Sequence, residues 1–126
     1  MLKFTLLIFI LLLSPTSFAQ SKVCGLSEVT IEKTGVAEST RFFITAKNKE
    51  HETKLVMSSV DHVNFSCETT IQNRNKILIN AYCGGSGCSE STFTVIDART
   101  LQVELVPFQR KGNQDLVEKI LGKKLQ

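Results

Sequence analysis

Histidine is scarce in this chain of 126 residues, which has only His51, within a charged run, and His62, directly after Asp61. A structural zinc site needs four ligands, and the histidines do not supply such a set. Asp61 and His62 are sequence neighbours, so on a strand their side chains would point to opposite faces, unlike the partners of a catalytic dyad. The sequence therefore predicts no metal and no cofactor.

An excess of charge of one sign is also lacking, because 15 Lys and Arg residues stand against 12 Asp and Glu residues. The basic residues are scattered along the chain, and aromatic residues do not alternate with them. Phosphate backbones and anionic membrane surfaces select proteins with concentrated positive charge. We therefore expect no nucleic-acid partner.

Only one long apolar run is present, from Leu6 to Leu13, with Lys3 before it and Pro15 after it. Ser17-Phe18-Ala19 then fits the small-x-small rule of signal-peptide cleavage sites. A membrane-spanning helix needs about 20 apolar residues, so this run is too short to be one. The pattern predicts a cleaved secretory signal peptide over residues 1–19.

The remaining 107 residues, 20–126, are enough for one domain with a modest core of its own. Since no second long apolar run follows, we expect a periplasmic or secreted protein without membrane insertion after cleavage. A lipid anchor on Cys24 is disfavoured, because lipoprotein signals place small or aliphatic residues directly before the cysteine, whereas Lys22 is charged.

All four cysteines lie in the part expected to be exported, where an even number predicts two disulfides with three possible pairings. A flexible Gly-Gly-Ser-Gly separates Cys83 from Cys88, which favours a bridge between them, and elimination then pairs Cys24 with Cys67. On the chain-entropy model the longer loop contributes roughly 4 kcal/mol and the shorter one about 2 kcal/mol. The longer bridge is therefore expected to stabilise the fold, and the shorter one to shape its own loop.

The glycine-rich segment between Cys83 and Cys88 is the most unusual stretch of the chain. Consecutive glycines can aim backbone N–H groups at an anion, but a nucleotide P-loop also needs Lys-Ser or Lys-Thr and a following helix. The Gly-x-Ser-x-Gly spacing of a nucleophile elbow is absent as well. Two interpretations remain, a recognition loop that docks on a partner and a purely architectural connection. The residues predicted to contact the partner are Tyr82, Gly84, Gly85, Ser86, Gly87, Ser89 and Glu90.

Alternation of polar and apolar residues predicts a mainly β protein. The expected strands cover residues 23–32, 40–46, 55–57, 63–68, 76–82, 91–96 and 101–106, with the polar run 47–54 as a loop. The nearly continuous apolar run 76–82 is typical of a central strand that is buried on both faces. Hairpins are expected around the turn 72–75 and around the connection 97–100.

Near the C-terminus the period changes, and an apolar stripe over 116–121 predicts a helix. Asp115 is expected to cap its start, and Gly122 is expected to end it. A helix this short needs to dock on the sheet to persist. The predicted fold class is α+β, with one antiparallel sheet of six or seven strands and a short C-terminal helix.

Together these features predict a small exported binding or inhibitory protein that acts through protein contact, for example on a cell-wall hydrolase or a secreted effector. No catalytic constellation is evident, so an enzyme is the less favoured interpretation. One alternative is a carboxylate-based hydrolase of the cell envelope that uses Glu90 or Asp97. Another is a structural envelope accessory, in which Leu116, Ile120 and Leu121 face a partner.

Overall fold

The computed structural model describes residues 18–84, 91–107 and 112–125. Within these ranges the chain forms eight β-strands, one 3-10 turn over Ala37–Ser39 and one α-helix. The strands are β1 (Phe18–Cys24), β2 (Ser27–Thr34), β3 (Arg41–Lys47), β4 (Glu52–Ser58), β5 (His62–Thr69), β6 (Asn75–Tyr82), β7 (Thr92–Asp97) and β8 (Val103–Leu105), and the helix is α1 (Asn113–Leu121).

The strands form two antiparallel sheets of four, ordered β1-β2-β3-β4 and β5-β6-β7-β8. The mainly β class with a C-terminal helix is confirmed, whereas the prediction of one sheet of six or seven strands is wrong. The chain leaves the first sheet after β4, where Ser59 adopts a left-handed backbone conformation (φ 62°). Alternation reports which face a side chain occupies, but it does not report where one hydrogen-bonded ladder stops and another starts.

A hydrophobic core lies between the two sheets, because each sheet turns its alternate apolar residues toward the other. Ile31 and Ile44 come from the first sheet, and Ile77, Ile79 and Ile96 come from the second. All five side chains are buried, and each is worth about 1.5–3 kcal/mol relative to exposure to water. The predicted hairpins β5–β6 and β7–β8 are both present.

The predicted disulfide between Cys24 and Cys67 is confirmed and joins the end of β1 to β5 across this core, with the Cα atoms 5.4 Å apart. Cys24 is only 1% exposed. The bridge therefore ties one sheet to the other at a point 43 residues apart in the sequence. A disulfide that closes so long a loop restricts the unfolded chain strongly.

The helix α1 forms a third layer on the outer face of the second sheet. Val117 and Leu121 are fully buried there and pack with Leu78, Val95 and Leu105 of the sheet. Docking on the sheet stabilises a helix of nine residues that would be marginal alone. None of the helices in the described ranges has the length and hydropathy that a membrane span requires.

The start of α1 differs from the prediction. Gly112, and not Asp115, occupies the N-cap position, and it makes no side-chain capping bond. Instead, the Asn113 side chain accepts a hydrogen bond from the backbone N–H of Phe93 (2.6 Å) and donates one to its carbonyl (3.1 Å). Because β8 pairs with β7 only beyond Phe93, this amide takes the place of a strand partner. Gly122 ends the helix as predicted, with φ 72° and its N–H donating to the Glu118 carbonyl.

Two strand boundaries also differ from the sequence pattern. Residues 23–32 are not one strand, because the chain reverses at Gly25 (φ 60°) between β1 and β2. Half of the polar run 47–54 is strand, since β3 extends to Lys47, β4 begins at Glu52 and only residues 48–51 form the turn. Asn48 closes that turn by accepting the backbone N–H groups of Glu50 and His51. The wholly polar run 47–54 thus includes the start of β4, a strand whose outer face is exposed to water.

Candidate functional site

The strand connections are sorted to two ends of the sandwich. The turns β1–β2, β3–β4, β5–β6 and β7–β8 meet at one end, which we call the turn end. Hydrogen bonds hold them together there, from Ser27 to the Ala98 carbonyl (2.5 Å) and from Asn48 to the Arg99 carbonyl (2.8 Å). The connections β4–β5 and β6–β7 start at the opposite end, the loop end, where Tyr82 and Gly84 of the predicted contact residues are located.

At the loop end the structure fixes the chain just before the glycine-rich segment. Tyr82 is the last residue of β6, and its ring stacks on His62 with centroids 4.9 Å apart and an interplanar angle of 27°. The Tyr82 hydroxyl also accepts a hydrogen bond from Asn64 Nδ2 (3.3 Å). The three side chains lie on the outer face of the second sheet, on adjacent strands.

Gly84 is also held in place, by a hydrogen bond from its backbone to Asp61. Its N–H donates to Asp61 Oδ2 (2.9 Å), and the Asp61 N–H donates to the Tyr82 carbonyl (3.1 Å). A Cβ atom at Gly84 would lie 3.3 Å from His62 Nε2, so a larger residue here would crowd the imidazole. Asp61 and His62 thus both approach Gly84, and the expectation of opposite faces fails because Asp61 precedes β5.

Cys83 lies between Tyr82 and Gly84 in the chain and is disulfide-bonded. Its predicted partner Cys88 is outside the described residues, and the same holds for Gly85, Ser86, Gly87, Ser89 and Glu90. Of the predicted contact residues, the structure therefore places Tyr82 and Gly84. It brings these two together with Asp61, His62 and Asn64, a group defined here as the loop-base cluster.

The turn end carries a cavity of about 480 Å³, lined by parts of three hairpin turns. On its floor the Lys76 ammonium, whose side chain is only 7% exposed, donates to Asp97 Oδ2 (2.7 Å) and to Glu104. Asp97 Oδ1 accepts the backbone N–H groups of Arg99 (3.0 Å) and Thr100 (2.9 Å). The charged network thus also shapes the β7–β8 turn.

Burial disfavours the charged forms of both Lys76 and Asp97. Hydrogen bonds and charges from Asp97 and Glu104 outweigh burial at Lys76, so its pKa is raised above 10.5. Hydrogen bonds from Lys76 and from the backbone of Thr100 and Arg99 likewise outweigh burial at Asp97, and its pKa lies well below its usual range. Both groups are therefore ionised at neutral pH.

These contacts give Asp97 a structural role. Its oxygens are occupied by a cation and by backbone donors, and its lowered pKa is unsuited to a general acid. Sequence reasoning missed Lys76 as its partner, although a signal exists. A lysine at the start of a strand predicted to be buried on both faces needs acidic neighbours.

The stripe of α1 is turned mostly inward. Leu121 is fully buried and Ile120 is partly buried against the sheet, whereas Leu116 is 41% exposed. Leu121 is thus unable to face a partner as the structural-accessory alternative requires. In the described part of the chain, no three His, Cys, Asp or Glu side chains are grouped so that they could hold a metal ion.

Comparisons of the chain with protein-family models, with curated proteins and with solved structures found no match. Its function is therefore inferred from its own residues.

Proposed function

We propose that the protein is a small exported binding protein that acts on a protein partner through its loop end. The observation that carries this proposal is the loop-base cluster. Tyr82 is stacked on His62, and Gly84 is hydrogen-bonded to Asp61. Tyr82, which precedes the glycine-rich segment, and Gly84, its first residue, are thereby held in place before any partner arrives.

Pre-organisation of this kind favours recognition, because a segment that is already ordered loses little conformational entropy on docking. Tyrosine is also enriched where proteins meet, since its ring offers a large contact area and its hydroxyl offers a hydrogen bond. The proposed contact surface consists of the loop-base cluster and of the segment 85–90, with Ser86 and Glu90 as polar contacts. A concave site on an exported enzyme, such as a cell-wall hydrolase, is the kind of partner proposed for this surface.

An exported location agrees with two features. The core disulfide between Cys24 and Cys67 is typical of oxidising compartments. Residues 1–19 carry the charge and apolar pattern of a signal peptide. Cleavage before Gln20 would shorten the pairing of β1 with β2 by the two positions at Phe18 and Ala19. The remaining five register pairs and the disulfide would still hold β1 to the molecule.

The proposal is tested by exporting the full chain, purifying the mature protein and measuring peptidoglycan hydrolysis by exported cell-wall hydrolases with increasing amounts of the protein added. Two bulky variants are compared. Ser86→Trp alters the proposed contact segment, and Lys54→Trp places the same bulk on the exposed outer face of the first sheet.

We expect wild type and Lys54→Trp to inhibit a hydrolase equally and to co-elute with it, and Ser86→Trp to lose both properties. Equal inhibition by both variants would move the contact surface away from the loop end. Absence of inhibition and of a stable complex with every exported hydrolase tested would remove this class of partner.

A further inference from the structure

A groove of about 590 Å³ runs over the outer face of the second sheet, beside α1. Its floor includes Asn64 of β5, Asn80 of β6 and Phe93 of β7, which are direct cross-strand neighbours in register. Gln114 of α1 lines one side and Leu125 of the C-terminal segment lines another. Three amide side chains and an aromatic ring therefore meet in one concave site.

Asn80 is the unusual residue of this groove. It is an amide in the part of β6 where its neighbours Ile77, Leu78, Ile79 and Ala81 are all buried and apolar. Its Oδ1 atom is buried and has no hydrogen-bond partner among the described residues. A buried acceptor without a donor costs about 1–3 kcal/mol. Such a cost is typical of sites that are completed by something else.

The charges around the groove are already neutralised. Lys123 pairs with Glu68 at 3.3 Å, and Lys124 pairs with Glu118 at 2.9 Å. An incoming anion or cation would therefore compete with an existing ion pair for the same side chain. A neutral ligand would leave them intact, and its hydroxyl or amide groups could donate to Asn80 and exchange hydrogen bonds with the other amides.

We infer that this groove binds a neutral, hydroxyl-rich ligand, a sugar or short glycan, and that the Asn80 side chain turns toward the groove so that Oδ1 accepts a hydroxyl or amide proton of the ligand. The Phe93 ring supplies an apolar surface for the carbon face of the sugar. This site shares Asn64 with the loop-base cluster but extends away from the loop end to Phe93, Gln114 and Leu125, and its occupation does not depend on the proposed protein partner.

The test titrates the purified full mature protein with tri-N-acetylglucosamine and with maltotriose, and with acetate as a charged probe. Binding is followed by the NMR signals of the asparagine and glutamine side-chain amides and by calorimetry. For at least one of the two sugars we expect a Kd of about 1 mM or tighter, and we expect the Asn80 signals to move most. Acetate should leave them unchanged.

The control uses a second unpartnered buried atom, Thr94 Oγ1, whose residue pairs with Ile79 and faces the core between the sheets. Asn80→Leu and Thr94→Val each remove such an atom, but only Asn80→Leu should weaken sugar binding, by about tenfold or more. Gln114→Ala changes an exposed wall residue with little risk to folding, and it should weaken binding by about fivefold.

The inference is overturned if neither sugar moves the Asn80 signals, if acetate binds more tightly than both sugars, or if Asn80→Leu retains wild-type affinity. Should Asn80→Leu fail to fold, unchanged affinity in Gln114→Ala would have the same consequence. Loss of loop-end inhibition with intact sugar binding, or the reverse, would separate this site from the proposed function.

Discussion

Replacing Lys76 with methionine tests how far the buried charge network holds the turn end together. Methionine keeps the length and apolar stem of the lysine side chain, so the core on either side of β6 should remain filled. The change removes the ammonium that Asp97 and Glu104 share. What remains is a pair of carboxylates whose side chains are 18% and 34% exposed.

The magnitude follows from this burial. Removing one partner of a buried ion pair costs about 3–5 kcal/mol, because the other charge is left without compensation. Glu104 is about one-third exposed, so it can turn toward water and contributes little to the cost. Asp97 accepts hydrogen bonds from backbone N–H groups of its own turn, so it keeps its buried position. We therefore expect the lower limit, about 3 kcal/mol, or a fall in melting temperature of about 12 °C for a domain of this size.

Thermal and urea denaturation of wild type and Lys76→Met measure this cost. The matched control is Lys54→Met, which removes an exposed ion pair with Glu52 and should cost less than about 0.5 kcal/mol. The double variant Lys76→Met with Asp97→Asn should recover part of the loss, because it removes the stranded charge.

The pH profile gives a second measurement. The lowered pKa of Asp97 contributes stability that is present above about pH 4, its ordinary range, and is lost as pH falls through the folded-state value. The raised pKa of Lys76 contributes stability that is present below 10.5 and is lost as pH rises through its folded-state value. Lys76→Met should therefore flatten both limbs of the curve.

A loss in Lys76→Met no larger than that in Lys54→Met, with an unchanged acid limb, would refute the argument. The network would then contribute nothing that water does not already supply.

Two further predictions concern the links between layers. Replacing both Cys24 and Cys67 with alanine should lower the free energy of unfolding by about 4 kcal/mol in denaturant titrations, since the bridge closes a loop of 43 residues; a loss below about 1 kcal/mol would contradict the staple role. Gly122→Ala should cost about 1–2 kcal/mol, because φ is 72° and the new Cβ would lie 2.8 Å from Ile71; Lys119→Ala, an exposed change in the same helix, is its control and should alter the melting temperature little.

Local pattern predicted much of the architecture. The buried strand containing Ile77 and Ile79, both second-half hairpins, the C-terminal helix and its end at Gly122 are all present. Each depends on residues close in sequence, where periodicity and glycine conformation act directly. The pairing of Cys24 with Cys67 could also be predicted from the sequence. The short spacing between Cys83 and Cys88 favours a bridge between them, and Cys24 and Cys67 are then the two cysteines that remain.

The candidate sites could be predicted from the sequence only in part. The sequence indicated Tyr82 and Gly84 as contact residues, but not that Asp61 and His62 would support them from the β4–β5 connection. The acceptor of Asn80 is equally invisible in the sequence, because its isolation depends on which side chains of neighbouring strands and of α1 come near.

The sequence by itself determined most of the strands, the C-terminal helix, which faces are apolar and which cysteines close the core, because these properties arise from local periodicity and short-range chain geometry. Only the tertiary structure decided that the strands divide into two sheets, that Lys76 meets Asp97 and Glu104, and that Asn113 completes the edge of β7. Those outcomes depend on the packing of segments far apart in the chain, where the burial of polar and charged groups selects partners that no local pattern contains.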